Sequence, residues 1–269
     1  MDALPPNRFA DIATLFLEES PNAAMLFATL DRRVPGRVIV DHPEQPTCAL
    51  VQADYYGFTF ASHAVQQGFL EAAVTSLLAD GPVMLVWPAR DQPIVPPPAD
   101  RLLDRVALYG FDISASPLNE IRVPPGCMLT PMDSGLVPRC QWHEQVVRAM
   151  GSVDRFLTYG LGVCLVKEDE ILSEAYMCFW GAGKAEIGVV TQPEHRGKGY
   201  GLLTARHLIE LCEERGLDTY TTCYTQNASL RQLSHKVGLT EEQPYELRVY
   251  GAAQHDHFET IAQQNPITA

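Results

Sequence analysis

The stretch EIGVVTQPEHRGKGYG, residues 186–201, followed by LLTARHLI, residues 202–209, predicts a strand, a glycine-rich turn and an amphipathic helix. Glycine occupies every second position at the end of the turn: Gly197, Gly199 and Gly201. Because glycine has no side chain, the backbone can bend sharply there and bring its N–H groups close to a ligand. Those groups precede a helix N-terminus, which attracts anions through unpaired donors and the helix dipole. With the positive charge of Arg196 and Lys198, the stretch predicts a cradle for a pyrophosphate.

Two other phosphate-binding motifs fit this turn less well. A Walker loop requires glycine at 192 and serine or threonine at 199, where the chain has Gln192 and Gly199. The dinucleotide fingerprint G-x-G-x-x-G differs from the G-x-G-x-G that follows the arginine here. The alternative to a ligand site is a tight turn between an ordinary strand and an ordinary helix.

A second pattern follows downstream. Residues 218–225 are rich in threonine and tyrosine and predict a strand, and residues 228–237 predict a helix that ends at a glycine. The residues that define this pattern are Asn227, Lys236, Gly238 and Leu239. Together with Arg196-x-x-Gly199-x-Gly201, they resemble the acyl-CoA signature and last helix of the GCN5-related N-acetyltransferases, with leucine replacing the family's phenylalanine. The resemblance spans about residues 125–250, and the two-domain layout is similar to the zwittermicin-resistance-type branch.

The resemblance implies acetyl-CoA as co-substrate and assigns its binding residues. Backbone groups of Val189, Val190 and Thr191 would bind the pantetheine and the acetyl carbonyl. The pyrophosphate would lie against the turn and the helix start: Arg196, Gly197, Lys198, Gly199, Tyr200 and Gly201. Asn227 completes the implied set. In the family, a tyrosine two residues before the lysine often acts as the general acid. This chain has Ser234 at that position. A serine hydroxyl is a poor acid, but it could still donate a hydrogen bond to the sulfur.

Glu186 is the predicted general base. Alternation along the strand places it on one face with Gly188 and Val190, and the glycine leaves space beside the carboxylate. A carboxylate there could take the ammonium proton of an amine, through water. The alternatives are a carboxylate that pairs with a basic residue on the next strand or one that faces solvent. Glu174 is a second candidate, on a strand face predicted to include Tyr176, Cys178 and Trp180.

The order of predicted elements divides the chain into domains at residues 1–120 and 121–252, with a tail at 253–269. The first domain has helices at 10–19, 22–31 and 64–79, and strands at 37–41, 47–53, 56–61 and 83–87. This order resembles the front half of the acetyltransferase fold without an R-x-x-G-x-G cradle. We therefore expect a degenerate copy that shapes the acceptor site, whose sheet residues 101–113 could still join.

The second domain is predicted to have the complete fold. Before the cradle, a strand is expected near 127–130, a helix at 138–150, and strands at 161–167, 170–180 and 184–191. The boundary between the domains is placed in the proline-containing segment 114–126. The fold class is thus mixed α/β, an acyltransferase domain preceded by a smaller α/β domain.

Composition excludes several classes of partner. The formal net charge of −13 argues against nucleic acid and anionic membranes, which require a basic surface. Seven scattered cysteines without a C-x-x-C indicate reduced thiols, and the chain has no 18-residue apolar run. These features predict a cytoplasmic protein.

No metal site is predicted. His255 and His257 have no third ligand nearby in sequence, and His143-Glu144 lacks the remainder of an H-E-x-x-H motif. The sequence therefore predicts an acetyl-CoA-dependent N-acetyltransferase that acts by direct attack of a small-molecule amine. The alternatives are a non-catalytic acyl-CoA-binding regulatory module and a protein or peptide N-acetyltransferase. The oligomeric state is left open.

Overall fold

The computed structural model describes residues 1–88, 94–110 and 122–251. The described residues form two compact units, one from residues 1–106 together with the chain from 244 onward, and the other from residues 107–243. The predicted boundary segment lies largely outside the described residues, and so does the tail with His255 and His257. The predicted domain limits therefore stay predictions. Within the described ranges, no helix is both long and apolar enough to cross a membrane.

The first unit has the predicted order of helices and strands. Its elements are β1 (Asp2–Ala3), α1 (Ala23–Leu30), β2 (Gly36–Val40), β3 (Ala49–Ala53), β4 (Phe58–Ala61), α2 (Gln67–Leu78), β5 (Val83–Pro88) and β6 (Arg101–Tyr109), whose last residues belong to the second unit. The helix predicted at 10–19 is instead a 3₁₀-helix at Pro6–Leu15. It buries Phe9 and Ile12, and three-residue spacing matches the three residues per turn of that helix.

The sheet of the first unit changes direction at β4. Strands β2, β3 and β4 are antiparallel neighbours, whereas β4 and β5 are parallel, with Phe58 opposite Met84. A parallel pair needs a crossover connection, and α2 supplies it. The buried face of α2 carries Leu70, Ala73, Val74 and Leu77, the spacing of one helical face.

The second unit repeats this order. Its elements are β7 (Cys127–Pro131), α3 (His143–Met150), α4 (Val153–Tyr159), β8 (Gly162–Lys167), β9 (Glu170–Gly181), β10 (Lys184–Thr191), α5 (Tyr200–Glu214), β11 (Asp218–Tyr224) and α6 (Ala228–Lys236). Strands β7 to β10 are antiparallel neighbours, and β10 and β11 are parallel across α5. The mixed α/β fold predicted from the sequence is confirmed.

The helix predicted at 138–150 is divided in the structure. A short 3₁₀-helix at Val137–Arg139 precedes α3, and α4 was not predicted. Gly151 ends α3 with φ of 85°, a left-handed conformation that glycine adopts readily. The Ser152 side chain then accepts the Arg155 N–H at 3.2 Å and caps α4. Gly151 thus ends α3, and Ser152 begins α4 directly after it.

The last strand, β12 (Glu241–Tyr250), completes the first unit, although it follows α6 in the chain. From Tyr245 to Tyr250 it pairs antiparallel with β5. The Tyr250 hydroxyl donates to the Pro97 carbonyl at 2.8 Å, and the Gly251 N–H donates to Asp100 at 2.7 Å. The sequence analysis assigned no element here, although Tyr245, Leu247 and Val249 alternate as a half-buried strand requires.

Candidate functional site

The glycine-rich turn between β10 and α5 has the backbone conformation that its composition predicts. Gly197 has φ of 74° and Gly199, the N-cap of α5, has φ of 80°. L side chains rarely adopt this left-handed region, so glycine is required at both positions. Gly201 is needed for space instead, because a Cβ there would lie 2.9 Å from Thr191 Oγ1 and 3.2 Å from Leu233. The three glycines therefore serve two different physical needs.

The first turn of α5 presents unpaired backbone donors. The first bond from this turn runs from the Leu203 N–H to the Gly199 carbonyl at 3.1 Å. Within the described residues, no backbone acceptor is recorded for the N–H groups of Tyr200, Gly201 and Leu202. Such donors, together with the positive end of the helix dipole, favour an anion.

The two cations of the turn contact the turn itself. Arg196 Nε donates to the Thr191 carbonyl at 3.2 Å, which ties the turn to the end of β10. Lys198 Nζ donates to the Glu194 carbonyl at 3.1 Å and lies 3.3 Å from His195 Nδ1. Both side chains are therefore held by the segment that leads from β10 into α5.

An open pocket lies between this turn and α6. It measures about 640 Å³ including its open side, and its lining residues are Thr191, Gly197, Gly199, Tyr200, Gly201, Leu202, Ser229, Gln232, Leu233 and Lys236. The contributions of α6 recur at three- and four-residue intervals, so they share one helical face. The sequence analysis did not identify Ser229, Gln232 or Leu233. Their helical spacing on α6 was the signal that could have found them.

Strands β10 and β11 separate at Glu186. Their backbones pair at three positions only, from Lys184 opposite Asp218 to Glu186 opposite Tyr220. Both strands continue beyond that point, to residues 191 and 224, without recorded backbone pairing between them. The Thr221 hydroxyl still donates to the Ile187 carbonyl at 2.9 Å. The sheet therefore has a gap in its backbone pairing between these two strands, from Glu186 to the end of β10.

The three predicted backbone binders are not equivalent at this gap. Successive residues of a strand direct their backbone groups to alternate neighbours. Because the Ile187 carbonyl faces β11, the N–H and C=O of Val189 also face the gap. The Val190 carbonyl instead accepts the Ser173 hydroxyl of β9 at 3.0 Å, and the Thr191 carbonyl accepts Arg196. Val189 is thus the best placed of the three to contact a ligand in the gap.

Glu186 lies at the point where the strands separate. Only 7% of it is exposed, so the solvent-facing alternative is wrong. Its Oε2 accepts the Tyr220 hydroxyl at 3.1 Å and its Oε1 accepts the Thr222 hydroxyl at 2.8 Å. The space expected beside Gly188 is occupied, because a Cβ there would lie 3.0 Å from the Tyr176 ring and 3.1 Å from the Cys178 sulfur.

A bulge in β9 changes which residues share a face with Glu174, so one prediction about this strand is wrong. Glu186 pairs with Phe179 whereas Ile187 pairs with Met177, so Cys178 is an extra residue in β9. The alternation predicted from Glu174 to Trp180 breaks there, and Trp180 lies on the opposite face. Cys178 stays beside Gly188, and burial, followed by the charge of Glu186, raises the pKa of its thiol well above the ordinary value.

Glu174, the second candidate base, has a structural role. It is 1% exposed, and its two oxygens accept the N–H groups of Gln141 and Trp142, each at 3.0 Å, just before α3. Burial raises the pKa of Glu174, and these two hydrogen bonds oppose the shift. The carboxylate therefore anchors the start of α3.

The remaining predicted residues, Asn227 and Ser234, lie on α6. The Asn227 side chain caps the helix by accepting the Leu230 N–H at 3.0 Å. Ser234 is fully buried, and its hydroxyl has no hydrogen-bond partner among the described residues. Ser234 is not part of the pocket lining. The roles of both residues toward acetyl-CoA stay predictions.

One group of potential metal ligands occurs among the described residues, and it adjoins the turn. The ligand atoms of Glu170, Glu194 and His195 lie within 4.8 Å of one another, and both glutamates are exposed. His195 Nε2 already lies 2.8 Å from Glu170, and its other ring nitrogen lies 3.3 Å from the Lys198 ammonium. That positive charge opposes a cation at the same place, so this group carries no metal assignment.

Comparison with known proteins identifies similar chains. The family model for GNAT acetyltransferases matches residues 112–248. The uncharacterized N-acetyltransferase YdfB of Bacillus subtilis is 21% identical over 268 residues, which cover 93% of this chain and 99% of the relative.

Solved structures share the fold. A GCN5-related N-acetyltransferase-like protein from Streptococcus suis has a TM-score of 0.65 at 20% identity and covers 91% of this chain and all of that one. A tandem GNAT protein from the clavulanic acid biosynthesis pathway has a TM-score of 0.60 at 15% identity, with 92% and 97% coverage.

Proposed function

Since this chain belongs to the GNAT acetyltransferase family, we propose that it transfers the acetyl group of acetyl-CoA to the amine of a small molecule by direct attack. The observation that carries the proposal is the gap between β10 and β11, which opens beside an anion cradle at the start of α5. A cradle and a gap in this order suit a ligand with a pyrophosphate at one end and a thioester at the other.

The donor would be held mainly by backbone groups. Its pyrophosphate would accept the N–H groups of Tyr200, Gly201 and Leu202, with Arg196 and Lys198 supplying positive charge. The pantetheine would cross the pocket beside α6 and enter the gap. There the backbone of Val189 can bond the chain or the thioester carbonyl, and an N–H at that oxygen would stabilise the negative charge that develops during attack.

The acceptor would be activated by Glu186. An amine is protonated at neutral pH and must lose a proton before it attacks the thioester. The Glu186 carboxylate belongs to the last residue of β10 that pairs with β11, at the closed end of the gap. It would take the proton directly or through water. The departing thiolate is a tolerable leaving group because thiols titrate near 8.5, so the reaction does not require an acid at Ser234.

Release of CoA with a panel of small amines tests this proposal. We expect the wild-type protein to release thiol in a saturable, amine-dependent manner. Glu186→Gln should lower turnover at neutral pH on the order of 10²-fold with unchanged acetyl-CoA affinity. Glu170→Gln, at an exposed position near the turn, serves as the matched control and should retain activity.

Three outcomes would contradict the proposal in different ways. Binding of acetyl-CoA without release of thiol for any amine would favour the non-catalytic regulatory module. Release of thiol with peptides but with no small amine would favour the protein or peptide acetyltransferase. A flat thermal shift with acetyl-CoA would remove the donor assignment itself.

A further inference from the structure

Both oxygens of the Glu186 carboxylate are held by hydroxyl groups of a single neighbouring strand. Tyr220 donates to Oε2 at 3.1 Å and Thr222 donates to Oε1 at 2.8 Å, both from β11. The three side chains are 7%, 0% and 6% exposed for Glu186, Tyr220 and Thr222. A buried carboxylate with a hydroxyl on each oxygen has one preferred orientation.

The two donors come from different sides of the point where the strands separate. Tyr220 is the last residue of β11 whose backbone pairs with β10, opposite Glu186 itself. Thr222 lies beyond that pair, so its hydroxyl reaches back to the carboxylate after the backbones have parted. The Tyr220 ring stacks on Tyr109, with centroids 5.1 Å apart and an interplanar angle of 25°. The phenol is therefore held in place by packing as well as by its hydrogen bond.

We propose that Tyr220 and Thr222 are positioning residues of the acetyl transfer, which orient the Glu186 carboxylate toward the gap and keep it ionised. This inference rests on the function proposed above for Glu186. Hydrogen bonds that donate to a carboxylate stabilise its charged form, whereas burial destabilises that form. The two hydroxyls thus oppose the effect of burial on the charged form of Glu186.

Other titratable groups lie around Glu186, Tyr220 and Thr222. From β9, Cys178 lies beside Glu186, and the raised pKa of its thiol keeps it protonated at neutral pH. Tyr176, also on β9, hydrogen-bonds to that thiol, and Tyr109 of β6 contacts Tyr220 through its ring. Removal of a hydroxyl from Thr222 adds no charge to this cluster. A change in the titration of Glu186 would therefore report the lost hydrogen bond.

Thr221 provides a matched control for the effect of a hydroxyl that links the two strands. It is 3% exposed, and its hydroxyl donates to the Ile187 carbonyl of β10 at 2.9 Å. Thr221 and Thr222 are neighbours on β11 whose side chains point to opposite faces. Thr221→Val thus removes a hydroxyl link between β10 and β11 whose acceptor is a backbone carbonyl.

The test measures the pH dependence of kcat/KM in the full chain for Thr222→Val, Thr222→Ser and Thr221→Val. Thr222→Val should move the acid limb to higher pH by about 1 unit, the size expected for one hydrogen bond to a charged group. Thr222→Ser keeps the hydroxyl and should restore the wild-type limb, and Thr221→Val should leave it unchanged. Tyr220→Phe should move the limb in the same direction as Thr222→Val. The KM for acetyl-CoA should stay constant throughout.

A direct titration separates this inference from the proposed function. Carbon NMR of ¹³C-carboxyl-labelled glutamate, with the Glu186→Gln protein to assign the signal, follows Glu186 without catalysis. We expect its pKa to rise in Thr222→Val and to stay constant in Thr221→Val. Equal titration of Glu186 in the wild type and Thr222→Val, or an equal rise in Thr221→Val, would overturn the positioning role. Absence of thiol release with a normal titration difference would instead overturn the proposed function alone.

Discussion

The strand–helix–strand crossover occurs once in each unit, and the two copies differ at the start of the helix. Between β10 and α5, two left-handed glycines lead to N–H groups without recorded backbone acceptors. Between β4 and α2, residues 62–66 contain no glycine and no residue with positive φ. The N-cap Gln66 is extended instead, with φ of −93°. The same topology therefore has a left-handed glycine turn before the helix in one unit and an extended residue before the helix in the other.

The start of α2 is also in contact with a later segment of the same chain, at Val95. The Gln67 side chain donates to the Val95 carbonyl at 2.8 Å and accepts the Val95 N–H at 3.1 Å. Ile94 and Ala99 pack against the core beneath the same helix. We therefore expect acetyl-CoA to bind at the second crossover, where a left-handed turn precedes an open helix start, and not at the first.

The largest expected effect on stability comes from β12, which follows α6 in the chain but pairs with β5 of the first unit. Leu247→Ala should lower the free energy of unfolding by about 3 kcal/mol, because Leu247 is 1% exposed and pairs opposite Val86 of β5. Denaturant unfolding and hydrogen exchange of the β5 amides measure the loss. Glu241→Ala, at the exposed start of β12, is the control. Unchanged exchange in β5 would show that the first unit does not depend on this strand.

A valine at the N-cap of each helix tests whether only the second crossover binds acetyl-CoA. Acetyl-CoA at a hundredfold excess over its Kd should stabilise the wild type by about 2.7 kcal/mol. Gly199→Val should abolish this gain, because a β-branched residue disfavours φ of 80°. Gln66→Val, at the N-cap of α2, should leave it intact. Calorimetry should give one acetyl-CoA per chain, and a stoichiometry of two would mean that the first crossover binds as well.

Alanine at the second residue of α5 and at the second residue of α2 should change stability by smaller amounts. The two changes should have opposite signs. Gly201→Ala should destabilise the protein by about 1 kcal/mol, because its Cβ would lie 2.9 Å from Thr191 Oγ1. Gly68→Ala should stabilise it by about 0.5 kcal/mol, since nothing lies within 4 Å and alanine favours helix. Thermal unfolding of the two variants measures both. Effects of the same sign would contradict the difference in packing between the two helix starts.

The smallest expected effect on stability concerns the turn that follows β2 in the first unit. Asp41, after β2, accepts the Thr47 hydroxyl and the N–H groups of Thr47 and His42, and these hydrogen bonds, opposed by burial, lower its pKa to about 2. A lowered folded-state pKa contributes stability above the ordinary value of 3.8, and that contribution is lost as pH falls toward 2. Asp41→Asn should therefore lower stability at pH 7 by an amount that shrinks between pH 4 and pH 2.

Local signals were sufficient for the elements around the cradle. The strand, the turn and the helix from residue 186 to 209 were predicted because alternation, glycine and helical periodicity act within a few residues. The mixed α/β class followed from the order of such elements. The helix predicted at 138–150 ends before Gly151 as expected but begins only at His143, and the helix at Val153–Tyr159, which Ser152 caps, was not predicted.

Features that depend on distant parts of the chain were not predicted. The extra residue at Cys178 became visible only through the pairing of β9 with β10, and it moved Trp180 to the other face. The Ser229 and Gln232 positions of the pocket required the packing of α6 beside the turn. In each case the deciding contact joins two elements that meet only in the folded protein.

The sequence by itself determined the glycine-rich turn, its charge and the family, because left-handed glycines and helix N-termini impose their chemistry locally. Only the tertiary structure decided that β10 and β11 part at Glu186 and that hydroxyls 34 and 36 residues away hold its carboxylate. It also decided that the last strand completes the first unit, through contacts such as Tyr250 with Pro97, 153 residues apart. Strand pairing and burial arise between segments that meet only on folding, and a linear pattern does not specify which segments those are.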